Sequence, residues 1–163
     1  QVNSFPPGQF LVGSQIPAGR YVMDARSGCY WERQSGLGGS LEEIVANDFR
    51  AYDGRAIVDL APTDVGFEFD SDCGTLSTYT GSTQLASSIP AGTHVVNQHI
   101  SPGTYVSDVA AGCYWERTAS FAGTIDAVIT NDFVSSAGQQ FVTISATDVG
   151  FTSDADCGIW KRV

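Results

Sequence analysis

The chain has 163 residues and a formal net charge of −10, with 18 acidic residues against 8 basic ones and one lysine, Lys161. Such a balance repels phosphate backbones and anionic headgroups, which makes nucleic acid and anionic lipid poor partners. No apolar run approaches the ~20 residues of a membrane span, and the four cysteines, an even number in an acidic chain without a CxxC pair, point to disulfides and an oxidising compartment.

In chain order, residues 1–8 form an irregular start, because Pro6-Pro7-Gly8 cannot continue a helix or a central strand. The start at Gln1, with no charged or apolar leader, is what removal of a signal peptide leaves. Gln9-Phe10-Leu11-Val12 reads as a short strand and Gly13-Ser14 breaks it. Ile16-Pro17-Ala18-Gly19 is a turn with proline at its second position, and Arg20-Tyr21-Val22-Met23 is the next strand. Cys29 to Gln34 follows. Period two puts Cys29, Trp31 and Arg33 on one face and Tyr30, Glu32 and Gln34 on the other. A half-cystine and a tryptophan belong inside, so Tyr30 and Glu32 face outward.

Gly36, Gly38 and Gly39 make a flexible bend. Ser40-Leu41-Glu42-Glu43 has the form of a capping box and turns the chain into a strand at Ile44-Val45-Ala46. Asn47-Asp48-Phe49 reads as a second bend. Ala56 to Leu60 is a strand, Pro62-Thr63-Asp64 turns, Val65 to Phe69 returns, Asp70 to Gly74 carries a cysteine, and Thr75 to Tyr79 closes the unit.

The chain then repeats itself. Gly28-Cys29-Tyr30-Trp31-Glu32-Arg33 recurs as Gly112-Cys113-Tyr114-Trp115-Glu116-Arg117, 84 residues later. The same offset joins Asn47-Asp48-Phe49 to Asn131-Asp132-Phe133, Thr63-Asp64-Val65-Gly66-Phe67 to Thr147-Asp148-Val149-Gly150-Phe151, and Cys73-Gly74 to Cys157-Gly158. One module is duplicated: residues 1–79, a polar joint at 80–84, and residues 85–163. Modules of about 80 residues bury little surface and often need a staple. Each copy owns two cysteines, and each copy folded before duplication, which selects Cys29–Cys73 and Cys113–Cys157 among the three connectivities. About seven short strands per copy, separated by Gly, Pro, Asn and Asp, predict an all-β fold: two tandem β-sandwich or small-barrel modules, each with one internal disulfide.

The combination of Pro-Gly-x-Tyr, Gly-Cys-Tyr-Trp-Glu-Arg, Asn-Asp-Phe, Thr-Asp-x-Gly-Phe and Cys-Gly resembles a repeat of secreted bacterial proteins and lipoproteins, those of actinobacteria especially. The resemblance covers nearly the whole chain, once per copy. It implies an exported, disulfide-bonded β-module, commonly appended to other domains, and it assigns no site residues.

Catalytic chemistry is poorly served. The only histidines, His94 and His99, align with Phe10 and Gln15, so the module has no histidine for a triad. Glu32, Asp48, Asp64, Asp70 and Asp72 recur in both copies and could in principle pair as in a glycosidase, but acids in turns usually cap backbone groups. The expectation is no enzyme and no cofactor. Asp70 with Asp72, and Asp154 with Asp156, are D-x-D pairs whose hard oxygens suit calcium, although the rest of an EF-hand loop is missing.

Binding is the reading these residues favour. Tyr30 with Glu32, and Tyr114 with Glu116, set an aromatic beside an acid on an outer strand face. A sugar takes that combination, its apolar face on the ring and its hydroxyls on the carboxylate. The expected partner is an extracellular glycan or surface polymer. One alternative is a structural subunit of an extracellular filament or lattice, in which copies of the chain pair through strand edges that lack guarding lysines, with the extended Gln1–Val12 segment as donor. A third is an extracellular enzyme inhibitor using the turn from Ile16 to Arg20.

Overall fold

Alternation along the strands decides which side of each faces the core. In Gly19–Ala25, the side chains of Tyr21, Met23 and Ala25 are buried while the residues between them are not. In Tyr30–Gln34, Trp31 and Arg33 point inward. The computed structural model describes residues 2–163. They form two compact units, the first running through Thr80 and also taking in Phe121–Ile125, the second comprising Gly81–Ser120 and Asp126–Val163.

Unit 1 has eight strands: β1 (Ser4–Phe5), β2 (Gly8–Leu11), β3 (Gly19–Ala25), β4 (Tyr30–Gln34), β5 (Ile44–Phe49), β6 (Gly54–Leu60), β7 (Gly66–Phe69) and β8 (Leu76–Thr78). They make two four-stranded antiparallel sheets, in the orders β1-β8-β3-β6 and β2-β7-β4-β5. Apolar side chains from both fill one core, with Phe67 5.7 Å from Phe69 and 5.9 Å from Trp31 between ring centroids. The module is therefore a β-sandwich. Cys29 and Cys73, both fully buried, are bonded and tie the start of β4 to the 3-10 turn Ser71–Cys73 ahead of β8. Gly28 just before β4 has φ +105°, and a Cβ there would come within 2.6 Å of Asp72 Oδ2, so the signature has to begin with glycine.

The segment Phe121–Ile125 lies along β6 and over β4. The Asp59 N–H donates to Phe121 O at 2.8 Å, and the Phe121 N–H donates to Asp59 Oδ2 at 3.0 Å. Arg33 Nη1 donates to Ala122 O, and the Arg20 guanidinium stands 4.6 Å from the centre of the Phe121 ring.

Unit 2 repeats the pattern with β9 (Ser88–Ile89), β10 (Gly92–Val95), β11 (Gly103–Val109), β12 (Cys113–Thr118), β13 (Val128–Val134), β14 (Gly138–Ile144), β15 (Gly150–Ser153) and β16 (Trp160–Arg162). Its sheets run β14-β11-β16-β9 and β10-β15-β12-β13, and Cys113 bonds Cys157.

Three expectations change. Each unit has eight strands where about seven were counted, because the short β1 and β9 carry no alternation to read. Asn47-Asp48-Phe49 and Asn131-Asp132-Phe133 are not bends: the first ends β5 and the second lies within β13. Asn and Asp are poor strand formers, yet here pairing with β4 overrides propensity: Asn47 stands opposite Glu32 and Asp48 opposite Trp31, and Asn47 Nδ2 donates to Tyr30 Oη. Residues 3–11 are not a free donor segment, since β1 pairs with β8 and β2 with β7 in their own unit; Gln1 lies outside the described residues.

Candidate functional site

Strand β4 carries Tyr30, Glu32 and Gln34 on the outer face of its sheet. Its neighbours set the rest of that face by register. Glu32 stands opposite Asn47 on β5 and Glu68 on β7, and Tyr30 stands opposite Phe49. Tyr30 Oη donates to Glu32 Oε2 at 2.7 Å and accepts from Asn47 Nδ2 at 3.2 Å. Gln34 Nε2 donates to Glu32 Oε1 at 2.6 Å and to Glu68 Oε2 at 3.2 Å, while Gln34 Oε1 accepts from Gln9 Nε2 at 2.8 Å. Two carboxylates directly opposite each other on one face repel, and the Gln34 amide is what lies between them. At the edge of this polar network Phe49 is 64 % exposed, a large ring left in water.

The Tyr30 phenol is held above its ordinary value, first by burial, then by its hydrogen bond to Glu32 and the charges of Glu32 and Glu68, with the Asn47 bond acting the other way. At neutral pH it is therefore a neutral donor aimed at a carboxylate.

Unit 2 keeps half of this face. Tyr114 stands opposite Phe133, Glu116 opposite Asn131, and Tyr114 Oη accepts from Asn131 Nδ2 at 3.0 Å. Phe133 is also 64 % exposed. At the positions of Gln9, Gln34 and Glu68, however, stand Thr93, Thr118 and Thr152. Thr152 Oγ1 donates to Thr93 Oγ1 at 3.2 Å. The two faces thus share Tyr, Glu, Asn and Phe and differ in their amides and second acid. Phe49 and Phe133 were absent from the residues singled out by sequence; the signal was there, an aromatic recurring after Asn-Asp, but reading that stretch as a bend hid its side.

Asp64, Asp70, Asp148 and Asp154 are engaged elsewhere. Asp64 is buried and takes Arg33 Nε and Nη2 at 2.8 and 2.9 Å, and Asp148 takes Arg117 at 2.6 and 3.0 Å. Glu32 lies on the outer face and Asp64 beneath the sheet, so they do not face one substrate. Asp70 Oδ1 accepts the Asp72 N–H and Asp154 Oδ1 accepts the Asp156 N–H, both at 3.1 Å, each capping a 3-10 turn. Asp154 Oδ2 also accepts from the Tyr114 N–H at 3.0 Å. Burial is the main cause that raises the Asp154 carboxyl above its ordinary value. Among the described residues, the ligand-type groups that converge in threes are Cys29, Asp70 and Cys73, and Cys113, Asp154 and Cys157. Their sulfurs are spent in disulfides, and a single carboxylate is far from the six to eight oxygens calcium takes. His94 Nε2 lies 2.9 Å from Pro90 O, and His99 Nδ1 accepts the Val95 N–H at 2.9 Å, as Gln15 Oε1 accepts the Leu11 N–H.

A family model described as the Rv1352-like extracellular domain matches the chain twice, over residues 3–76 and 86–161. No curated protein matches it. No helix of the described residues is long and apolar enough to cross a membrane.

Proposed function

The chain belongs to the Rv1352-like extracellular domain family, and from that premise we propose that it acts outside the cell without catalysis, holding a neutral polysaccharide on the outer face of β2-β7-β4-β5 and on the equivalent face of unit 2. The observation that carries the reading is the repeated Tyr–Glu–Asn–Phe face, with Phe49 and Phe133 bare at its edge. An exposed aromatic face covers the apolar side of a pyranose, and the carboxylates and amides beside it accept and donate to hydroxyls. No arginine or lysine stands among Tyr30, Glu32, Gln34, Asn47 and Glu68, which favours an uncharged polymer over an anionic one. The tyrosine–glutamate–asparagine bonds preorganise the face, so little ordering remains for binding to supply. Two faces on one chain add avidity on a repeating polymer. The inhibitor reading is less favoured, because Ile16 is buried and Arg20 is held by Asp59 at 2.6 and 2.9 Å.

Affinity electrophoresis through gels containing a soluble neutral glucan, galactan or mannan tests the proposal. At least one should retard the chain, and the double variant Phe49→Ala/Phe133→Ala should lose about tenfold in affinity, or ~1.4 kcal/mol, with an unchanged melting temperature. Equal retardation of variant and wild type in every gel rejects this face.

A further inference from the structure

Unit 1 shows what the open side of this sandwich accepts. Between its edge strands β5 and β6 lies Phe121–Ile125, bonded to Asp59 and Arg33. Gly123 lies flat against the tryptophan of the core: a Cβ there would come within 2.7 Å of Trp31 Cη2 and 3.3 Å of Ala46 Cβ. Trp31 and Arg33 are buried beneath this segment, and Ile57 on β6 is 5 % exposed.

In unit 2 the corresponding side is open. Trp115 and Arg117, equivalent to Trp31 and Arg33, are only half-buried. Phe141, at the position of Ile57, is 57 % exposed. Strand β14 is the outermost of its sheet, and Thr143 stands in the register of Asp59, which turns its N–H away from β11. Arg117 gives Nε and Nη2 to Asp148 as Arg33 does to Asp64. Its Nη1, the group that in Arg33 holds Ala122 O, has no partner among the described residues.

The chain also carries a segment of matching form. Leu37–Leu41 corresponds position for position to Phe121–Ile125. Gly39 has φ +79° and Gly123 φ +77°, so both turn through the same left-handed glycine, and nothing lies within 4 Å of a Cβ built on Gly39. Leu37 and Leu41 are 53 % and 84 % exposed.

We infer that the Leu37–Leu41 loop of one copy docks into the open side of unit 2 of a second copy. Leu37 C=O takes the Thr143 N–H, Gly38 C=O takes Arg117 Nη1, and Gly39 lies on the Trp115 ring. Loop and groove are different surfaces, so the contact is heterologous and runs head to tail, into an open chain or a closed ring. Thr104 and Thr143, bonded to each other at 3.0 Å, replace the Arg20–Asp59 pair that grips Phe121, which makes the docking reversible. The charge of −10 on each copy opposes association, and salt screens it.

Sedimentation velocity from about 10 µM to about 1 mM, spanning the affinity expected of such a small contact, reads the outcome. The wild type should exceed 17.3 kDa as concentration and salt rise. Gly39→Asn tolerates the left-handed backbone but lifts the loop from the ring, and Phe141→Lys guards the edge. Each variant alone should stay at 17.3 kDa with the wild-type melting temperature. Mixed in equal amounts, the intact groove of the first and the intact loop of the second should form a complex of two chains that grows no further. A wild type that remains monomeric throughout, single variants that assemble as it does, or a mixture that stays monomeric overturns the inference. Neither variant alters Tyr30, Glu32, Phe49 or their counterparts in unit 2, so the proposed polysaccharide binding is read separately.

Discussion

At Tyr30 one phenol oxygen gives a hydrogen bond to Glu32 and takes one from Asn47, and the proton it carries holds the face together. Burial and the nearby carboxylates raise its pKa above the ordinary 10.0. The folded state therefore holds this proton more tightly than the unfolded chain does. The stabilisation is complete below the ordinary value and is lost as pH rises through the higher, folded one. Urea unfolding of Tyr30→Phe should consequently fall less steeply than wild type across pH 9 to 11, about one unit either side of that value. Tyr21 and Tyr79 are shifted in the same direction, so the dependence shrinks without vanishing. Equal slopes would place the Tyr30 proton outside the folding balance. Phe49 belongs to the same scale: a ring kept in water in both copies contributes nothing to the core.

At the scale of elements, the turn between β6 and β7 is held to β4 by one ion pair. Asp64 on the turn receives two bonds from Arg33 and a third from the Ala61 N–H. The Arg33 and Asp64 side chains are 5 % and 2 % exposed, against 21 % and 1 % for Arg117 and Asp148. Removing one partner of a buried pair leaves an uncompensated charge, at a cost of about 3–5 kcal/mol. Asp64→Asn should show such a loss in urea unfolding. Asp148→Asn should lose clearly less, because water reaches the Arg117 guanidinium. Equal losses would mean that burial does not set the cost. The pair also accounts for the recurrence of Glu-Arg with Thr-Asp-x-Gly-Phe: the arginine of one motif needs the aspartate of the other, 31 residues on.

At the scale of the molecule, each unit is a small sandwich whose core is closed by a disulfide. Each bridge spans 44 residues, which on the chain-entropy model contributes about 4 kcal/mol. All four sulfurs are buried, so reduction requires opening of the fold. Calorimetry before and after denaturing reduction and thiol capping should show a large drop in melting temperature. An unchanged transition would mean that the sandwich is stable without its bridges. The acidic charge shared by both units makes copies of the chain repel one another at low salt.

Duplication, the disulfide pairing, the all-β class and the side of β4 that faces the core were determined by the sequence alone. Each rests on a local rule: a fixed offset, an even cysteine count per copy, or the period of two that a pleated strand imposes. What Tyr30 and Glu32 face was decided only by tertiary structure. Asn47 reaches Tyr30 from β5, while Glu68 and Gln9 reach the neighbouring Gln34 from β7 and β2, and register between strands is set by packing that no single stretch encodes. The same holds for Phe49, whose Asn-Asp neighbours look like a bend until the strand beside them supplies their hydrogen bonds. It holds also for the two tryptophans. Trp31 and Trp115 are identical in sequence context, yet one is buried under Phe121–Ile125 and the other is half open, because burial depends on what the rest of the chain brings to that side.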